Sequence, residues 1–207
     1  LDHNDRDTPQ YRNIRSRLLN DLNTGVSEGQ YRGYSELFIL ASYPEGRQIL
    51  VDDKGLRDKI TAVGLNAIIP EGEYNGYSAL FFLAGNPEGR QLLIKDKELR
   101  NKISDVGLNA VVAQGESALC QLAGTPDGQQ LLVDDEVLRG KITVEGLNAV
   151  VAKGEYKGES ALLFLASRPV GRQLLKSDAD FRGKITAEGL NAVVAQGESA
   201  LCQLAGT

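Results

Sequence analysis

The sequence predicts an all-α fold, an α-solenoid of stacked two- or three-helix repeats joined by short hairpin-like loops, and three observations carry that expectation. Gly-Leu-Asn-Ala recurs at 64–67, 107–110, 146–149 and 189–192, with Asp21-Leu22-Asn23-Thr24 as a degenerate first copy, at spacings of 43, 43, 39 and 43 residues. Residues 107–125 and 189–207 are identical. Each copy holds short apolar stripes at helical spacing that cannot close a core alone, so neighbours must stack to bury them.

The units read as 21–63, 64–106, 107–145 (short), 146–188 and a partial fifth, 189–207, after an N-terminal tail and capping helix over 1–20. In that first segment Pro9–Asn20 places Tyr11, Ile14 and Leu18 at helical spacing, with Arg6, Arg12, Arg15 and Arg17 around them. Within a unit, Ser78 is the expected N-cap of a short helix whose Leu80, Leu83 and Ala84 form one stripe and which Gly85 ends. Pro87 opens a second helix, where a missing N–H costs nothing, and Leu92, Leu99, Ile103 and Val106 are expected to continue its buried face. Asp96, with its counterparts Asp53, Asp135 and Asp178, reads as the N-cap of a separate third helix. Gly107 is expected to stop that helix, and Asn109 to begin a hairpin-like Ala-Val-Val stretch leading to the next Ser cap.

The 39-residue unit differs from the others by four residues lost at one place: Val151 to Ser160 in a long copy corresponds to Val112 to Ser117 in the short one. Length variation confined to one site marks an exposed loop. The chain stops at Thr207, one helix into the fifth unit, which reads as a fragment of a longer array, with Leu201 and Leu204 uncovered.

Asn109-Ala110-Val111-Val112-Ala113-Gln114-Gly115-Glu116-Ser117-Ala118-Leu119 resembles the loop and first helix of an ankyrin repeat, in which Asn-Ala, Gly and Thr-Pro-Leu follow at these intervals. The units are longer than that family's, which run to about 33 residues; Ala118 stands for its Pro and Cys120 for its His. The Leu83-Ala84-x-x-Pro87-Glu88-Gly89 segment is also similar to part of an armadillo unit. The ankyrin resemblance implies a protein-recognition module that binds through loop tips and inner helices, without catalysis.

Composition narrows function by exclusion. Lys plus Arg is 23 against 28 Asp plus Glu, a formal charge of −5, the wrong sign for a phosphate-backbone binder. No apolar run approaches the roughly 18–20 residues that span a bilayer, and residues 1–20 carry no signal-like stretch, so a cytoplasmic chain is expected, with export after removal of a leader left open. The single His3 lies in a polar tail. Phosphate-loop, Cys-x-x-Cys and His-Glu-x-x-His motifs are absent, so no enzyme, cofactor or metal site is expected. Asp134-Asp135-Glu136 and Asp178-Ala179-Asp180 read as solvated helix junctions rather than cation sites. Cys120 and Cys202 occupy equivalent places two units apart, on the order of 20 Å at helix spacings of roughly 8–10 Å, and should stay free thiols.

Several recurring polar residues have structural readings. Asp53/Arg57, Asp96/Arg100, Asp135/Arg139 and Asp178/Arg182 stand four apart with the acid first, the orientation of a helical pair or cap. Lys59, Lys102, Lys141 and Lys184 read as solvated edges. Asn23, Asn66, Asn109, Asn148 and Asn191 read as bonding backbone in their own turn or a neighbouring loop.

The aromatic residues discriminate between units. Copies with the four-residue insertion bring Tyr31, Tyr74 or Tyr156 in it and carry Phe38/Ile39, Phe81/Phe82 or Leu163/Phe164 at the third and fourth helix positions; short copies carry Cys120/Gln121 and Cys202/Gln203. Each loop Tyr either packs on its own helix or joins an exposed stripe, and Tyr is a favoured interface anchor. Tyr31, Tyr34, Tyr74, Tyr77, Phe81, Phe82, Tyr156 and Phe164 are therefore the candidate partner-binding residues. The expected function is a non-enzymatic protein-protein interaction scaffold. The alternative is a structural array that self-associates through its uncovered C-terminal repeat.

Overall fold

The computed structural model describes residues 16, 20–25, 33–154, 156–193, 197 and 199–206. The N-terminal helix expected over Pro9–Asn20, apart from Ser16 and Asn20, lies outside these residues, as does Tyr31. The described chain is all-helical, without a β-strand among the described residues. Its helices run α1 Glu36–Ser42, α2 Pro44–Asp52, α3 Lys54–Lys59 and α4 Ala62–Asn66 in the first unit. The second holds α5 Ala79–Gly85, α6 Pro87–Lys95, α7 Lys97–Asn101 and α8 Asp105–Asn109. The third holds α9 Ala118–Ala123, α10 Pro126–Asp134, α11 Glu136–Gly140 and α12 Val144–Asn148. The fourth holds α13 Ala161–Ser167, α14 Pro169–Ser177, α15 Ala179–Arg182 and α16 Ala187–Asn191, and α17 Ala200–Ala205 opens a fifth.

A unit thus contains four short helices rather than two or three, and the caps explain why. Ser78 accepts from the Phe81 N–H at the start of α5, as Ser35, Ser117, Ser160 and Ser199 do at theirs. Pro44, Pro87, Pro126 and Pro169 take the first position of the second helices. Asp53, Asp96, Asp135 and Asp178 cap the third helices through the N–H groups of Leu56, Leu99, Leu138 and Phe181. Thr61, Ser104, Thr143 and Thr186 then cap a fourth helix.

Gly107 is therefore not a helix stop; it sits inside α8, buried, at the third position. A Cβ there would lie 2.1 Å from the Asn66 amide oxygen of the preceding unit, and Gly64, Gly146 and Gly189 face Asn23, Asn109 and Asn148 at 2.0–2.3 Å in the same way. Only glycine admits that approach. Val106, expected in the buried stripe, is instead 64% exposed, because the Ser104 cap restarts the helical phase and turns it outward. Leu92, Leu99 and Ile103 are buried as expected.

First, second and fourth helices each pack on their counterparts one unit along. First helices meet in series from α1 to α17, second helices from α2 to α14, and fourth helices from α4 to α16. Leu37, Leu80, Leu119 and Leu162 are fully buried in one continuous core. The Ala-Val-Val stretches close as single antiparallel bridges, Val111 to Ser117 and Val150 to Ser160. Gly115, at φ +101° in the loop between them, approaches the next loop so closely that a Cβ would meet the Ala152 nitrogen at 2.4 Å. Both cysteines are free, Cys120 buried and Cys202 exposed. No helix among the described residues is long and apolar enough to cross a membrane.

Candidate functional site

Two sides of the unit junctions can be told apart by chemistry. One is a polar seam. The Asn66 side-chain amide donates to the Lys102 carbonyl at 2.8 Å and to Ala62 at 2.6 Å, while its oxygen accepts from the Ser104 N–H at 2.9 Å. Asn109 makes the matching bonds to Lys141, Asp105 and Thr143, and Asn148 to Lys184, Val144 and Thr186. The seam asparagines end their helices and bond both their own unit and the next.

The arginines do the same, and here the expected pairing is corrected. The Arg57 guanidinium pairs not with the carboxylate of Asp53, its own unit's acid, but with that of Asp96 in the next unit at 3.1 Å; Arg100 pairs with Asp135 at 2.7 Å and Arg139 with Asp178 at 3.1 Å. The second guanidinium nitrogen of Arg100 fills the carbonyls of Leu93 and Ile94 at the end of α6. That anchoring aims the remaining N–H past its own helix. Burial alone would raise the pKa of Asp96 and Asp135, but the capping N–H and the neighbouring arginine outweigh it and hold both carboxyls below the usual aspartate range. For Asp178 the Phe181 N–H comes first and Arg139 adds to it. Lys141 and Lys184 are not merely solvated edges: their ammonium groups donate to the Ile103 and Ile142 carbonyls of the preceding unit at 2.5 and 2.6 Å.

A further seam joins the second helices. Arg47 bonds Glu88 at 3.4 Å, and Arg90 bonds both oxygens of Asp127 at 2.9–3.0 Å. In the fourth unit Val170 stands in place of the acid, and in the third unit Gln129 stands in place of the arginine. Gln129 is 0% exposed, donates to the Ala123 and Phe164 carbonyls and accepts from the Gly171 N–H. A neutral amide satisfies the junction where no carboxylate faces it. In the acidic clusters at 134–136 and 178–180, Asp135 and Asp178 are taken up by capping and pairing, and no group of three or more His, Cys, Asp or Glu placed to hold a metal ion occurs among the described residues.

The other side carries the candidate residues. Tyr34 stacks on Phe38 at 5.1 Å, and Tyr74 from the next unit sits edge-on to both, at 5.8 and 5.7 Å. Phe38 also meets Phe82 across the junction at 5.3 Å. Tyr77 lies on Phe81 and Phe82, at 4.8 and 5.5 Å, and its hydroxyl donates to the Gln114 side chain of the third unit at 3.1 Å. Burial raises the Tyr77 pKa, with Glu116 and Tyr74 adding to it. Five of the eight candidates thus form one cluster with Phe38, its rings half-buried except Phe38 and Phe81, which are buried. The insertion Tyr packs on its own helix and also on the preceding unit, so neither expected arrangement describes it alone.

Tyr156 and Phe164 are brought together separately, at 5.7 Å, with Tyr156 37% exposed. The short third unit interrupts the ring series with Glu116, Cys120 and Gln121. A small open hollow of about 50 Å³ lies there, lined by those three residues with Gly124, Thr125, Tyr156 and Phe164. Sequence reasoning missed Phe38 as a ring of the cluster and the hollow itself. The signal for both was the Phe38-to-Cys120 change at one register position.

No family model, curated protein or solved structure matches the chain.

Proposed function

We propose that the chain is a protein-protein interaction scaffold, an α-solenoid of ankyrin-like character that binds its partner through loop tips and inner helices and carries no catalytic role. The reading is carried by one observation. The Asn and Arg–Asp seams repeat their residues from unit to unit, whereas variation in length and in ring content gathers on the side that holds Tyr34, Tyr74, Tyr77, Phe82, Tyr156 and Phe164 half-exposed or at the surface. A ring fixed on one face by its neighbours loses little entropy on binding with the other, which favours it as an interface anchor.

Capture of partners on the immobilised chain, repeated with Tyr74→Ala and Tyr156→Ala, tests the proposal. A partner retained by the parent and lost by either variant supports it. Unchanged capture by both variants places binding elsewhere and overturns this surface.

A further inference from the structure

We propose that a groove at the junction of the first two units, between their second and third helices, binds a short acidic segment of a partner protein through its aspartate or glutamate side chains. Its walls come from α2, α3, α6 and α7 and share no residue with the ring cluster. The contact therefore goes beyond the surface proposed above and is tested separately from it.

The groove encloses about 320 Å³, and four basic side chains, Lys54, Arg57, Lys95 and Lys97, line it against two acidic ones, Asp96 and Glu98. That volume is at the lower end of the roughly 300–1,000 Å³ of small-ligand sites. Arg57 is fixed in the wall: its Nε donates to Asp96, and its Nη1 donates to the Leu50 and Val51 carbonyls. Among the described residues no buried side-chain nitrogen or oxygen lacks a partner, so the Arg57 Nη2, which has none there, is open to solvent. Asp96 is spent on the Leu99 N–H and on Arg57. Lys54 pairs with Asp58 at the surface, where both side chains are more than half exposed, a pair that holds little energy. Lys95 and Lys97 are exposed and make no ion pair among the described residues.

The other junctions show that these lysines are not needed for stacking. The Arg–Asp pair is present at all three. The lysines are not: Lys95 and Lys97 correspond to Asp134 and Glu136 in the third unit. At the third junction the equivalent hollow, about 160 Å³, has Glu136 in the place of Lys54, with Asp178 and Asp180 opposite. One groove is thus repeated with opposite charge. In the basic copy a carboxylate meets one held guanidinium N–H and the mobile ammonium groups beside it, and such charge-assisted bonds are both stronger and more selective than neutral ones. A long polyanion is disfavoured, because one unit along it would face Asp134 and Glu136, and the chain as a whole carries −5. The ligand is therefore a short acidic run and not a nucleic acid.

The probe is the N-acetylated, C-amidated peptide Gly-Glu-Asp-Glu-Gly, with Gly-Gln-Asn-Gln-Gly as its neutral control, titrated into the isotopically labelled full chain and followed by amide shifts. Expected is saturable binding on the order of millimolar Kd at low salt, with shifts centred on Lys54, Arg57, Lys95 and Lys97, weakened by added salt and absent with the neutral peptide. Lys97 also acts on the Asp135 carboxyl of the third unit, so the variants are made at the other two lysines. Lys95→Asp and Lys54→Glu each introduce, at an exposed position, the residue that the third unit carries there. Both should keep the circular dichroism spectrum and weaken binding by about fivefold or more. Lys157→Asp makes the same change of charge on an exposed loop and should alter binding by less than about twofold. Absence of shifts at the groove, or equal weakening by Lys95→Asp and Lys157→Asp, overturns the proposal. Tyr74→Ala should bind the peptide as the parent does; loss of binding in that variant would put the peptide on the ring side and overturn the groove. Tighter binding of a phosphoserine peptide at the same residues would overturn the assignment to carboxylates.

Discussion

At the seam, successive junctions present the same atoms: an asparagine amide bridging two units and an arginine reaching the next unit's aspartate. On the loop side, the first junction holds four interlocked rings, whereas the third holds two rings and a hollow. The difference separates what stacking requires from what it tolerates. Seam residues are saturated with bonds to buried backbone, so a change in one leaves a donor or acceptor unmet. Loop-side rings contribute apolar area, which four residues of length and several changes of side chain can alter while the units still dock.

Breaking the seam should therefore produce the largest effect. Asp135→Ala removes the cap of α11 and the partner of Arg100 together, in a pair whose side chains are only 12–13% exposed. A loss of about 3–5 kcal/mol is expected from the denaturant midpoint, with a smaller loss for Asp135→Asn, which keeps the cap. Acid should act on every such junction at once. Asp96, Asp135 and Asp178 have folded-state pKa values below their unfolded value, which is about 3.9. Their contribution is fully present above that value and is lost as pH falls through the folded one. Tm should fall from about pH 4 downward, and Asp135→Asn should show a shallower fall.

How far the sequence announced this arrangement depends on the reach of each interaction. Stripes such as Leu80, Leu83 and Ala84, and caps such as Ser78 and Asp96, are local and could be read directly from spacing. The fourth helix was also written locally, in the hydroxyl residues Thr61, Ser104, Thr143 and Thr186 three places before each Gly, yet Gly107 resembles a helix stop and hides it. The Arg pairing could not be read from spacing. Asp-x-x-x-Arg fits a contact within one unit and one between units equally well, and only the anchoring of Arg100 on Leu93 and Ile94 decides between them. The candidate rings were legible as a set because they vary together, but their division into one cluster and one separate pair follows from which unit faces which.

A departure within the seam offers a sharper comparison. Gln129 and Val170 replace an Arg–acid pair by a neutral one, and the seam logic makes the two changes a unit. Gln129→Arg alone should cost about 1–3 kcal/mol, because a guanidinium enters a fully buried position opposite an apolar side chain. Adding Val170→Glu should recover most of that loss and make the recovery weaken with salt. Additive effects in the double-mutant cycle would show that the two positions do not communicate.

On the loop side, deleting Tyr74–Tyr77 leaves Pro70-Glu71-Gly72-Glu73-Ser78, which matches Ala113-Gln114-Gly115-Glu116-Ser117 in length and in the placing of its glycine. The chain should fold. Phe38 and Phe82 lose the ring between them, and Phe81 loses Tyr77, so stability should fall by about 1–3 kcal/mol from uncovered apolar area. Affinity for a partner that uses this cluster should fall at least tenfold, about 1.4 kcal/mol. Retention of both stability and affinity would mean that the rings are neither cover nor contact.

The smallest effect should come from the loop tip that touches neither side. Lys157 is exposed, two residues before the Glu159 carbonyl that pairs with the Val151 N–H and one after Tyr156. Its own N–H closes the loop on the Gly154 carbonyl through the backbone, a bond that any non-proline residue can make. Lys157→Ala should therefore stay within roughly 0.5 kcal/mol of the parent in denaturant midpoint. A larger change in stability would mean that the insertion is held by its side chains and not by its backbone turn.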